Sequence, residues 1–166
     1  MAQKLEFSIR KATPDDAEDL IELIKELAIF EKFPDAPEID AKILAHDLER
    51  KACFAFIAKY NEECAGLALY YLAYSTWQGQ CIHLEDLYIR PKFRRNSLGK
   101  KLIQEVAKEA YEKKYKRISL IVFDWNQNAR NLYSSLNAID LSKDEGWLVY
   151  RFDEERIKKL ALNSDL

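Results

Sequence analysis

Residues 90–102, RPKFRRNSLGKKL, gather six basic side chains around a single glycine. They follow an apolar, β-prone run and precede a stretch of helical periodicity. Strand, loop, helix is the order in which backbone N–H groups and a helix N-terminus can hold an anion. Gly99 at the helix start allows close approach, and Arg94, Arg95, Lys100 and Lys101 add positive charge. A solvated basic turn joining two elements accounts for the same residues. Just upstream, Glu85 and Asp86 are consecutive within the apolar run, so their side chains point to opposite faces of a strand unless a bulge intervenes. One of them can face a cleft while the other serves structure; equally, both can pair with nearby Arg or Lys.

The elements that must position these groups follow from periodicity. LEFSIR, residues 5–10, alternates apolar and polar and predicts a strand. Thr13-Pro14-Asp15-Asp16 announces a helix, with a capping residue, a first-position proline and acids at the positive end of the dipole. Leu20, Leu23, Ile24, Leu27 and Ala28 then carry that helix to about Phe30. KFPDAPEID breaks it, and AKILAHDLER predicts a shorter helix. CFAFIAKY, AGLALYYLAY and CIHLEDLYI, joined by short polar links, predict an antiparallel meander. Leu102, Ile103, Val106, Ala107 and Ala110 mark an amphipathic helix, followed by ISLIVF as strand, NQNARNLYSSL as helix, WLVYRF as a last strand and a charged helix from Asp153. The order predicts a mixed α/β (α+β) domain.

A chain of 166 residues with 48% hydrophobic composition suits one domain, 1–166, around one core. Its 26 basic and 28 acidic residues nearly cancel, so no global field argues for nucleic acid or an anionic membrane as partner. Cys53, Cys64 and Cys81 lack metal-ligand or CxxC spacing and cannot all pair within the chain, which fits reduced thiols. With no apolar leader segment and no run long enough to cross a bilayer, a soluble, cytoplasmic protein is expected. His46 and His83 are far apart and form no ligand pattern; His83 reads as a satisfied strand residue, and no metal is implied.

Several quoted motifs occur together in one order: IKELAIFEKF, YSTWQG, HLEDLYIRPKFRRNSLGKKL, DWNQNARNLY and DEGW. Over nearly the whole chain this pattern resembles the acetyl-CoA-dependent N-acetyltransferases of the GNAT superfamily, in particular the spermidine/spermine and thialysine N-acetyltransferase branch. DWNQ…LY with YSTW leans toward the thialysine type. The resemblance implies the GNAT fold, a mixed and mostly antiparallel central sheet flanked by helices. It implies acetyl transfer from acetyl-CoA to the primary amine of a small cationic acceptor by direct attack, in a homodimer.

The resemblance also implies roles for individual residues. The loop Arg94, Arg95, Asn96, Ser97, Leu98, Gly99 and Lys100 becomes the pyrophosphate cradle, with Arg95 and Ser97 standing where the family usually has glycine. A non-glycine residue forced to positive φ there costs roughly 1–2 kcal/mol, whereas the backbone N–H groups that hold the anion are retained. Leu87, Tyr88 and Ile89 would offer backbone to the pantetheine arm, and Asn126 and Ala129 would border the cofactor, although an asparagine there also suits a helix cap. Glu85 would draw the amine proton through water, Asp86 would hold a second cationic group, and Tyr133 would donate to the CoA sulfur. Phe30, Glu31, Trp77 and Glu145 would line the amine site with Glu85 and Asp86, acids beside aromatics suiting a cationic chain. Two rival readings remain: a GNAT-fold binding protein whose loop has decayed, and a nucleic-acid binder using the basic patch.

Overall fold

The three consecutive apolar runs pair as the predicted meander. The computed structural model, which describes residues 6–162, contains strands β1 Ser8–Lys11, β2 Phe54–Tyr60, β3 Glu63–Ser75, β4 Gly79–Ile89 and β5 Ile118–Leu120. They form one sheet in the order β1-β2-β3-β4-β5. The first three pairings are antiparallel and β4 with β5 is parallel, a connection that needs a crossover. Helix α3, Leu98–Glu112, supplies it; α1, Ala17–Phe30, and α2, Ala41–Glu49, precede β2. The fold class is the expected one.

Both faces of the sheet are covered, which explains why β2 and β3 read as nearly continuous apolar runs rather than as alternating ones. Ala55, Ile57, Leu67 and Leu69 pack with Leu20, Leu23 and Leu27 of α1 and Leu44 of α2. Phe56, Ala58, Ala68 and Tyr70 pack with Leu98, Leu102 and Val106 of α3. Polar ties join the layers at their rims. The buried Tyr70 hydroxyl donates to Glu109 of α3 at 2.6 Å, and Lys11 of β1 reaches the same carboxylate oxygen. Arg90, at the end of β4, donates to Glu26 of α1 at 2.9 Å and to the carbonyl of Cys64 at 2.9 Å, which fixes where the following loop begins.

Contacts divide the chain into two compact units, Met1–Asn126 and Gln127–Leu166. The second contains α4 Gln127–Ser135, α5 Leu141–Glu145 and α6 Glu154–Ala161. Asp140 accepts from the Lys143 amide at 3.1 Å and Asp153 from the Arg156 amide at 3.0 Å, so each of the last two helices starts on an aspartate cap. The sequence expectations differ from the structure in four places. The first strand begins at Ser8, and Leu5 lies outside the described residues. ISLIVF yields only the three residues of β5, and α5 was not foreseen. WLVYRF, residues 147–152, is not a strand: apolar composition favours extension, but a ladder needs a neighbour, and this unit has no second strand among its described residues.

The turn into α1 is held by a partly buried ion pair, with Asp16 buried and Arg10 half exposed. Arg10 donates twice to Asp16, at 2.7 and 2.6 Å, and the Thr13 amide adds a bond of 2.8 Å. The Arg10 guanidinium holds the Asp16 carboxyl down at about 2, below its ordinary 3.8. A depressed carboxylate contributes stability above its unfolded pKa and loses it as pH falls through the folded one. Asp16→Asn should therefore cost about 2 kcal/mol near neutral pH, and the gap from the wild type should close as pH is lowered from about 5 toward 2, as measured by urea denaturation across that range.

Candidate active site

The register of β4 settles where the paired acids point. Leu69 stands opposite Asp86 and Tyr70 opposite Leu84, so Glu85 is an extra residue on β4, a β-bulge. Its effect is visible in packing parity. Ile82 and Leu84 face the α3 side, and without a bulge Asp86 and Tyr88 would follow them. Instead Tyr88 packs in the α1 cluster, while Leu87 and Ile89 pack against the α3 cluster. The bulge thus reverses the strand's faces and lets Glu85 and Asp86 act on one side of the sheet, next to the end of α1.

Three carboxylates interact there. Burial pushes Asp86 up to about 7, with repulsion from Glu85 and then Glu31 adding to it. Glu31 at the C-cap of α1 is raised by burial and by Glu85. Tyr71 is raised by the same two causes in the same order. Like charges in a partly dry place disfavour their own ionisation and favour a cation brought among them. Among the described residues no three potential ligands are grouped as a metal site.

Aromatic rings flank the acids. Phe30 meets Trp125 at 5.7 Å between centroids, Trp125 stacks on Phe123 at 5.5 Å, and Phe123 stacks on Phe33 at 5.9 Å. The ammonium of Lys32 lies 4.9 Å from the Trp125 centroid, a cation–π contact. Of this wall the sequence reading named only Phe30; the alternation of Phe123 and Trp125 after β5 was the available signal. His83 was also passed over: its Nε2 lies 3.6 Å from Glu85 Oε2. Trp77, on the β3–β4 turn, is 84% exposed and does not join the wall. In the second unit, Glu145 accepts from the Trp147 indole at 2.7 Å.

The basic loop is built more like a cradle than its composition suggests. Phe93 and Leu98 are buried and pin its two ends. The Asn96 side chain donates from Nδ2 to the carbonyls of Phe93 and Arg94 at 3.2 and 3.1 Å. Arg94 does not point freely outward: its Nε donates to Ile89 at 2.9 Å, and the guanidinium lies over Phe30 and Tyr88. Arg95 and Ser97 both have positive φ, 63° and 57°. Most other non-glycine residues of this kind, Lys32, Lys51, Lys114 and Asn137, come just after helices, where a left-handed residue is the usual ending. Arg95 and Ser97 precede one instead. They hold the left-handed conformation for which glycine is suited. The amides of residues 95–99 have no backbone acceptor among the described residues, as expected at a helix start, and remain available to an anion.

Beside this loop β4 has an open edge. Its ladder with β5 covers only Ile82, His83 and Leu84, so Leu87, Tyr88 and Ile89 have no partner on that side among the described residues. On the other side the backbones are tight: a Cβ on Gly66 would sit 2.4 Å from the Tyr88 carbonyl oxygen. Asn126 closes a turn by donating from its amide to Phe123 at 3.0 Å. Ala129 and Tyr133 lie on α4, where the Tyr133 carbonyl accepts from Leu136 and Ala138.

Comparison with known proteins agrees with this geometry. Residues 18–137 match the acetyltransferase (GNAT) family. A thialysine N-epsilon-acetyltransferase of Caenorhabditis elegans is 47% identical over 155 residues, 93% of this chain and 97% of that protein. The human spermidine/spermine N(1)-acetyltransferase-like protein 1 is 32% identical over 93% of this chain but 24% of its own length. A predicted acetyltransferase of Clostridium acetobutylicum, solved with acetyl-CoA, superposes with a TM-score of 0.70 at 22% identity, over 88% of this chain and 96% of that one. The chain belongs to the GNAT acetyltransferase family. The fold and the N-acetyltransferase class expected from the sequence both hold, and acetyl-CoA is the family's acetyl donor.

Two consequences can be measured. The left-handed penalty of about 1–2 kcal/mol per residue exceeds glycine's entropic cost of about 0.5–1. Arg95→Gly and Ser97→Gly should therefore each stabilise the protein by up to about 1 kcal/mol, read by urea denaturation, with acetyl-CoA bound at least as tightly in calorimetry. Asp86 has its folded pKa raised from 3.8 to about 7, so holding it in the fold becomes more costly as pH rises between those values and stays so above. Asp86→Asn should leave the melting temperature nearly unchanged at about pH 4 and raise it at about pH 8.

Proposed function

We propose that this chain transfers acetyl from acetyl-CoA to the side-chain primary amine of thialysine or a similar lysine-like amino acid, with di- and polyamines as a second acceptor class. Attack is direct, within a ternary complex. The observation that carries the acceptor class is the grouping of Glu31 and Asp86, both raised by burial and by the charge of Glu85, with the aromatic wall that starts at Phe30. Such a place lowers the energy of an alkylammonium and already has one, Lys32, over Trp125. The relatives' acceptors, thialysine and spermidine/spermine by name, are of that kind. Phe30, Trp77 and Glu145 complete the acceptor side of this reading.

The amine must arrive neutral. Removing a proton from an ammonium of pKa about 10.4 near pH 7 costs roughly 4–5 kcal/mol, and Glu85, more than half exposed on the bulge, takes that proton through water. Asp86 and Glu31 hold the remaining positive charge. On the donor side, the amides of Arg95, Asn96, Ser97, Leu98, Gly99 and Lys100 receive the pyrophosphate. Arg94 braces the loop from below, through the Ile89 carbonyl and the Phe30 ring. The open edge at Leu87, Tyr88 and Ile89 pairs with the pantetheine amides, and Asn126 and Ala129 border the same chain. Tyr133 donates a hydrogen bond to the departing sulfur. Complete transfer from a phenol of pKa about 10 to a thiolate whose acid is near 8.5 is uphill by roughly 2 kcal/mol, so donation suffices for the role.

The whole of 1–166 acts as one acetyltransferase domain, since the family match runs across the junction at residue 126. A cytoplasmic homodimer belongs to the same proposal; the free thiols Cys53, Cys64 and Cys81 support a reducing compartment.

The test is CoA release with thialysine, lysine, ornithine and spermidine, after calorimetry with acetyl-CoA. Saturable micromolar binding, about 8 kcal/mol, and fastest turnover with thialysine are expected, with Tyr133→Phe lowering kcat far more than acetyl-CoA affinity. Absence of both binding and turnover would leave the chain as a GNAT-fold binding protein.

A further inference from the structure

We propose that His83 is a positioning residue for Glu85: it orients the Glu85 carboxylate and takes over the proton that this carboxylate collects from the acceptor amine. The inference rests on the amine-acetylation reading above and adds to it a residue that reads from its local pattern only as part of a strand.

Position comes first. Before the bulge, Ile82 and Leu84 face the α3 cluster, so His83 faces the α1 side, where the bulge also brings Glu85 and Asp86. The imidazole is held from one side by Tyr71, its cross-strand partner on β3, with ring centroids 5.0 Å apart and planes 28° from parallel. Ser119 is its register partner on β5. The side chain is 16% exposed, whereas that of Glu85 is 54% exposed. A largely covered imidazole thus lies beside an exposed carboxylate. Their 3.6 Å separation lies just beyond hydrogen-bond length and closes with a small rotation of the exposed partner.

The charges around the pair point the same way. The titratable groups that face it are Tyr71 on β3, Asp86 on β4 and Glu31 at the end of α1; the last two are acids, and Tyr71 and Asp86 both feel Glu85. Nothing in that set competes with a positive imidazolium.

The proton balance is simple. The ammonium N–H breaks and an O–H forms on Glu85, directly or through water, while the amine keeps the lone pair that forms the new N–C bond. A neutral imidazole with its hydrogen on Nδ1 accepts that proton at Nε2, which regenerates the carboxylate. The resulting imidazolium donates back to Glu85 from Nε2 and holds it in place; Nδ1 then releases its proton to solvent, and exchange with water moves the remaining hydrogen from Nε2 to Nδ1, which restores the accepting tautomer.

The chain has two histidines, so proton NMR can follow both, with His46 on α2 as the internal control. Replacing Glu85 by Gln should lower the midpoint of the His83 ring titration by about half a unit or more and leave His46 unmoved. In kinetics with thialysine, His83→Gln should lower kcat about tenfold near neutral pH, with the KM for acetyl-CoA within about twofold, and should displace the acid limb of the kcat/KM profile. His83→Phe, which keeps a ring against Tyr71, should share that profile. A His83 midpoint indifferent to Glu85→Gln, or a His83→Gln profile of wild-type shape, overturns the proposal while acetylation stands. A wild-type protein that acetylates no amine overturns the acetylation reading, and the relay falls with it.

Discussion

One extra residue in β4 governs the rest of the site. A strand alternates strictly, so two adjacent acids in a covered sheet cannot both serve the same side. The bulge at Glu85 breaks that rule at one point, and the change of packing partners between Leu84 and Tyr88 records it. It also coincides with the end of the β4–β5 ladder at Leu84, because a locally disrupted and twisted strand does not keep two regular neighbours. The same distortion therefore gathers the carboxylates on one face and frees a strand edge on the other side of Leu84. Acceptor chemistry and an open backbone edge have a common origin.

The loop after β4 depends on that edge in turn. Arg90 is held by Glu26 and Cys64, Arg94 by Ile89, and Phe93 and Leu98 by the core. With so many anchors, the backbone between them has little freedom, and Arg95 and Ser97 are carried into the left-handed region despite their side chains. Helix α3, fifteen residues long and packed along Leu98, Leu102 and Val106, supplies the burial that offsets this strain. Arg95 and Ser97 add to the cost of the loop, while its course is set by the anchors on either side.

Most elements could be read from the sequence because their signals are local. Leu20, Leu23 and Leu27 carry a helical period, and Val106 and Ala110 do the same for α3. What escaped depends on partners. The bulge exists only in the register between β3 and β4, so the HLEDLYI run gives no sign of it and left open whether Glu85 and Asp86 share a side. The positive φ of Arg95 and Ser97 runs against residue preference and is imposed by anchors on either side. Residues 147–152 carry every compositional mark of a strand, yet pairing requires a second strand, which no local pattern supplies. Phe123 reads as the end of the ISLIVF strand and Trp125 as part of the link to the next helix; after the ladder ends they form an aromatic wall with Phe30 and Phe33 instead.

Where a folded chain departs from its own local rules, function is the reason to look for. Elsewhere the described side chains obey them: no buried side-chain nitrogen or oxygen lacks a hydrogen-bond partner, and the left-handed residues after helices are ordinary endings. The departures lie along one short path. Glu31, Glu85 and Asp86 repel one another in partial burial, and Arg95 and Ser97 carry strain at the start of α3. The repulsion is unfavourable in the free protein and eased by a cation, whereas the left-handed strain stays in the complex and belongs to the backbone path that presents the loop's amides to a phosphate. Acids that repel one another when the site is empty give binding energy a use, since relief of that repulsion favours the complex in which the cationic acceptor is held.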